Sequence, residues 1–175
     1  MKKLFLLTFL VALAGFVIMA IFSIDFQLID GHYFTIMDLE MPGSKENLIA
    51  LYAQMTPQVL TSVKKNLYAD FLFMMGCYPF VALVCLAAAR KSQGFWQRIF
   101  STLAILQIFP FVFDVIENIS LLKWIDDSAY LMNFLVFQSI VWVKFILAVG
   151  AFLLSLIFLL YTAVKKMLYR TEIKI

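Results

Sequence analysis

Charge is scarce in this sequence: Asp, Glu, Lys and Arg make up 14% of its 175 residues, against roughly 25% in a soluble domain. With 64% hydrophobic residues and a mean hydropathy of +0.95, that scarcity excludes a soluble globular fold. Histidine occurs once, as His32, with no second His or Cys at ligand spacing, so no metal site is expected. The cysteines, Cys77 and Cys85, share one apolar run at a spacing of about 12 Å on a helix; they lie beyond disulfide range and read as packing residues. Also missing are internal repeats, low-complexity tracts, a Gly-rich phosphate loop, a CxxC pair and a nucleophile elbow. No cofactor is therefore implied.

What the sequence has instead is long apolar runs, at about 4–24, 67–89, 99–122 and 131–161, each matching or exceeding the ~20 residues that cross a bilayer. The expected fold is an all-α membrane protein, a single four-transmembrane-helix bundle over 1–175 with a ~40-residue outer loop, 25–66, between spans one and two. The first run is too long for a signal h-region, and Ile18-Met19-Ala20-Ile21-Phe22-Ser23 is a poor cleavage site, so it reads as a retained span. Thr8, Ala12, Gly15, Met19 and Ser23 give it one small-residue packing face. In the loop, Pro42-Gly43 signals a turn, Ser44 caps a short helix to about Met55, and Thr56-Pro57 starts another. Leu60, Val63, Leu67 and Phe71 continue at helical spacing, so that helix begins outside the bilayer.

A net charge of +3 and pI near 8.8 raise the question of a nucleic-acid partner, but the basic residues sort by topology. Lys2, Lys3, Arg90, Lys91, Arg98, Lys165, Lys166, Arg170 and Lys174 share the side of the termini, while Lys45, Lys64, Lys65 and Lys123 lie opposite with most of the acids. The positive-inside rule then predicts a multi-pass cell-membrane protein with both termini cytoplasmic, and no nucleic-acid partner. Trp96, Trp124, Tyr68 and Tyr130, near span ends, fit an aromatic belt.

Four ionisable residues nevertheless fall inside the spans: Asp70, Asp114, Glu117 and Lys144. Each costs roughly 2.5–3.5 kcal/mol at a helix centre on insertion scales, and such residues face the bundle interior. At about 100° per residue, Gln107, Pro110, Asp114, Glu117 and Asn118 fall on one side of span three. At 1.5 Å per residue, Asp70 lies about 5 Å deep, Glu117 about 8 Å, Asp114 about 13 Å and Lys144 about 15–20 Å from the outer ends of their spans. Lys144 is expected to meet Asp114, with Glu117 and Asp70 in a shallower layer. Three carboxylates and one ammonium do not balance, so either a carboxylic acid stays protonated or a cationic ligand supplies the missing charge. Pro79 and Pro110 are expected to kink their helices, Tyr78 to serve as an aromatic packing residue, and Ala148, Ala151 and Ser155 to make close helix contact below the site rather than line a pore.

The Tyr-Ala-Asp-Phe-Leu-Phe start of span two at 68–73, Asp-x-x-Glu-Asn at 114–118 and Lys144 together resemble small four-span bacterial membrane proteins without an assigned activity. The layout of a long first and a short second outer loop is similar to the claudin-like tetraspan arrangement, but the Trp and paired cysteines of that outer loop are missing. Sterol-isomerase-type bundles, whose buried carboxylates shuttle protons on a lipid ring, offer an analogy of chemistry alone.

Three functional expectations follow. A small amphiphile or lipid binds with its head at Asp70, Asp114, Glu117, Asn118 and Lys144. Alternatively, Asp114 and Glu117 act as catalytic acid and base on a lipid-soluble substrate. In the third, the chain is a structural subunit whose polar face or outer loop meets a protein partner. A solute channel is disfavoured, because the inner halves of the spans are almost wholly apolar.

Overall fold

The computed structural model describes residues 2–126 and 133–172, with the side chains of 169–172 outside the description. Its helices are α1 (Lys2–Ser23), α2 (Ile36–Glu40), α3 (Lys45–Ala53), α4 (Pro57–Lys91), α5 (Gly94–Leu106), α6 (Ile108–Asp126) and α7 (Phe134–Glu172). Four helical segments among the described residues are long and apolar enough to cross a membrane: Lys2–Ser23, Pro57–Lys91, Gly94–Asp126 and Phe134–Leu168. The all-helical, multi-pass expectation therefore holds. Leu131, where the fourth run was expected to begin, and Tyr130 of the aromatic belt lie outside the described residues.

The third segment is two helices rather than one. Pro110 has no N–H to give the carbonyl one turn back, so the helix breaks at Gln107 and restarts at Ile108. Pro79, by contrast, is carried inside an unbroken α4. That helix is the hub of the bundle, packing against α1, α5, α6 and α7. Its contact with α1 is made by glycine. A Cβ added to Gly76 would lie 2.2 Å from the Ala12 backbone nitrogen, and one on Gly15 would lie 2.4 Å from that of Phe73. Asn66 Nδ2 closes the upper end with a 2.7 Å hydrogen bond to the Met19 carbonyl. The predicted Thr8, Ala12, Gly15 and Met19 face is the one α1 turns to α4. Lower down, Ser155 Oγ donates to Cys85 Sγ at 3.3 Å, and Cys85 packs with Ala104 and Ala151, so the small-residue stripe of α7 does make close contact there.

Segment 24–56 is a folded cap, and it is shorter than the expected 25–66 because residues 57–66 already belong to α4. Both predicted caps are present: Ser44 Oγ accepts from the Asn47 N–H, and Thr56 Oγ1 from that of Val59, ahead of Pro57. Upstream, the chain reverses through Gly31 at φ +88°, a conformation that favours glycine, with the His32 N–H on Asp30 Oδ1. Phe34 then lies stacked on Phe26, ring centroids 4.8 Å apart. Phe26, Leu39, Leu48 and Met55 form one core with Val63 and Leu67 of α4, Leu121 and Trp124 of α6, and Phe137 and Val141 of α7. Trp124 is thus buried against Tyr52 under the cap, a correction to its expected place in the aromatic belt, whereas Tyr68 and Trp96 are exposed.

Candidate functional site

The polar stripe that starts at Gln107, in the α5–α6 break, and continues along α6 is fully interior: Gln107, Asp114, Glu117 and Asn118 are each at most 3% exposed. It faces α4 and α7 because that side of α6 carries its polar residues, while Phe109, Val112, Ile116 and Ile119 point outward. From α7, Lys144 Nζ reaches Asp114 Oδ1 at 2.8 Å and Glu117 Oε2 at 2.7 Å. Angles separate the two contacts: that with Asp114 is an aligned hydrogen bond, while that with Glu117 is an ion pair outside hydrogen-bond alignment. Coulomb attraction depends on distance rather than alignment, so Glu117 still counts as a partner of the ammonium.

A third carboxylate comes from an unexpected source. Glu40, the last residue of α2 in the cap, is 6% exposed and accepts from Lys144 Nζ at 3.3 Å. The ammonium thus meets three carboxylates, Glu40 and Asp114 through hydrogen bonds and Glu117 through charge alone. The sequence signal of Glu40 was weak, because α2 is only five residues long and has no second turn in which a buried stripe could repeat. Tyr78 of α4 is the second addition. Its ring packs as expected, and its hydroxyl donates to Asp114 Oδ2 at 2.6 Å, which gives the ring a polar anchor.

Asp70 and Glu117, expected together in a shallower layer, are placed apart: Glu117 meets Lys144, whereas Asp70, buried on α4, accepts a 2.6 Å hydrogen bond from Asn118 Nδ2. The five predicted site residues therefore form two adjoining units, an Asp70–Asn118 pair and a Lys144 cluster holding Asp114 and Glu117. Glu117 Oε1, Asn118 Oδ1 and Gln107 Oε1 are buried without a hydrogen-bond partner among the described residues. Buried acceptors of this kind leave capacity for a ligand donor. His32 is exposed in its turn, and no group of three or more His, Cys, Asp or Glu among the described residues is arranged to hold a metal ion.

Next to the cluster, a groove of about 330 Å³ is lined by Tyr78, Pro79, Ala82, Gln107, Ile108 and Phe111, among others. It runs where α5 breaks into α6, and Phe111 meets the Tyr78 ring edge-on at 6.1 Å between centroids. Tyr78 thus has its ring in the groove wall and its hydroxyl on the charge cluster.

Burial pushes the Glu40 carboxyl above the ordinary carboxylate range, against the pull of Lys144. A raised pKa in the docked cap means that docking binds a proton. Its stabilising contribution is whole below the ordinary Glu value near 4.5 and is lost as pH rises through the elevated one. Hydrogen exchange at 36–40 should accordingly accelerate with rising pH beyond the intrinsic chemical dependence, and Glu40→Gln should remove the excess. An excess that persists in Glu40→Gln would assign the effect to another group.

Comparison with known family models, curated proteins and solved structures gave no match.

Proposed function

We propose that this multi-pass membrane protein binds a small amphiphile in the cap-side half of the bundle, with its polar head at the Asp114–Glu117–Lys144 cluster and its tail in the groove beside Tyr78. The observation that carries the reading is the double position of Tyr78, at once groove wall and hydrogen-bond donor to Asp114. The charge count sets the type of head. Glu40, Asp114 and Glu117 surround a single ammonium, and an uncompensated buried ion costs several kcal/mol, so a cationic, donor-rich head is favoured over an anionic one. The apolar groove residues Ile108 and Phe111 suit an alkyl tail. Lysine and arginine asymmetry supports cytoplasmic termini in a cell membrane, which puts the cap and the site on the outer side.

Titration of the full-length protein in detergent with dodecylamine, dodecanol and dodecanoate tests this. Saturable dodecylamine binding is expected, well above that of the other two, and Asp114→Asn should weaken it about 10- to 100-fold, the scale of a charge-assisted hydrogen bond. Ala82→Trp, which fills the groove without touching the cluster, should weaken it as well. Binding unchanged in Asp114→Asn and in Asp114→Asn/Lys144→Met would overturn the proposal.

The Tyr78–Asp114 hydrogen bond also favours a second reading, in which these groups pass a proton to or from a lipid-soluble substrate in the groove. Asp114 is then the base, Glu117 the acid, and Tyr78 the group facing the substrate. Turnover that disappears in Tyr78→Phe while dodecylamine binding survives would select this reading; its persistence in Asp114→Asn would remove it.

A further inference from the structure

The end of the bundle opposite the cap has a different chemistry. It carries Lys2, Lys3, Arg90, Lys91, Arg98, Lys165 and Lys166, and apart from Glu172 every acid among the described residues belongs to the cap half. Lys91 closes α4 and Lys166 lies near the end of the fourth candidate span, so both ammonium groups sit at the depth where apolar helix gives way to the membrane surface. Between them is a groove of about 510 Å³ lined by Lys91, Thr162, Ala163, Lys166 and Met167. Thr162 commits its hydroxyl hydrogen to the Leu159 carbonyl at 2.9 Å, which leaves Oγ1 as an acceptor. Two cations, one hydroxyl acceptor and the apolar Ala163 and Met167 thus border one recess facing the lipid.

We infer that this groove holds the head group of an anionic phospholipid, with the phosphate between Lys91 and Lys166, a head-group hydroxyl on Thr162 and an acyl chain against Ala163 and Met167. Charge complementarity decides the occupant. A zwitterionic head brings its own cation to a site already holding two, whereas a phosphatidylglycerol-type head brings a net negative charge and hydroxyl donors. The recess also differs from general surface attraction, because its two lysines converge from different helices, α4 and α7, which fixes their separation. A lipid held there ties the end of α7 to the end of α4, beside the small and apolar side chains Ala88, Ala89, Phe158 and Leu159.

The test is native mass spectrometry of the full-length protein in a neutral detergent, offered phosphatidylglycerol and phosphatidylcholine with identical acyl chains. Wild type should retain the anionic lipid in preference, and Lys91→Gln/Lys166→Gln should reduce that preference about 30-fold, given that each of the two lysines near a membrane surface contributes on the order of one kcal/mol. Arg98→Gln, which alters a basic residue outside the groove, should leave the preference intact. Equal retention of the two lipids, or equal loss in the double variant and in Arg98→Gln, would overturn the assignment in favour of diffuse attraction. Displacement of the lipid by millimolar inorganic phosphate alone would overturn it in favour of a soluble anion. Neither lysine touches the cap-side cluster, so this proposal and the amphiphile proposal fail independently.

Discussion

Lys144→Met should destabilise the protein by about 3–5 kcal/mol, the usual cost of removing one partner from a buried ion cluster. The variant leaves Glu40, Asp114 and Glu117 without the ammonium that each of them contacts, and Met fills the lysine stem's volume without its charge. Reversible unfolding in mixed micelles measures the loss. Adding Glu117→Gln to Lys144→Met should recover part of it, because an unpaired buried charge is then replaced by a neutral amide of similar shape. A loss below about 1 kcal/mol in Lys144→Met would mean that water reaches the cluster and screens it like a surface pair. The cap reports on the same variant. Without Lys144 the buried end of α2 loses its ion partner, so exchange at 36–40 should speed up more than exchange at the α1–α4 contact.

Gly76→Leu is expected to be the most damaging substitution outside the charged cluster. Even its Cβ would sit 2.2 Å from the Ala12 nitrogen and 2.7 Å from the Thr8 carbonyl oxygen. Both neighbours are backbone atoms of a helix, so no side-chain rotation relieves the overlap. The helices must move apart, which loses the close packing that brings α1 to α4. Ordinary overpacking costs about 1–3 kcal/mol, and a backbone-to-backbone clash should exceed that range. Folded yield and unfolding midpoint provide the measurement, with Gly150→Leu as the control: a Cβ at Gly150 meets nothing within 4 Å. Equal behaviour of the two variants would show that α1 is not held by this contact. Because α1 packs chiefly on α4, the remaining bundle and its Lys144 cluster should survive partial detachment of α1.

Periodicity and composition by themselves determined the four candidate spanning segments, the starts of α3 and α4 and the single polar side of α6. Each of these depends on neighbours in sequence: apolar run length, a Ser44 or Thr56 followed by helix, and the 100° step that gathers Gln107, Asp114, Glu117 and Asn118. The Asp114–Lys144 meeting was also legible, because span depth is a one-dimensional count and few charges compete for a partner inside a bilayer. Tertiary structure decided what joins from the side. Only the folding of 24–56 over the bundle brings Glu40 to Lys144, more than a hundred residues away in the chain, and no local pattern encodes that approach. Helix rotation decided the rest. Tyr78 and Asp70 both lie on α4, but the azimuth set by its packing directs Tyr78 to Asp114 and Asp70 to Asn118. Sequence thus specified which side chains are too polar for lipid, while the packing angles of α4, α6 and α7 specified their partners, because a hydrogen bond formed within about 3 Å needs a helix placed more accurately than hydrophobic pattern alone can place it.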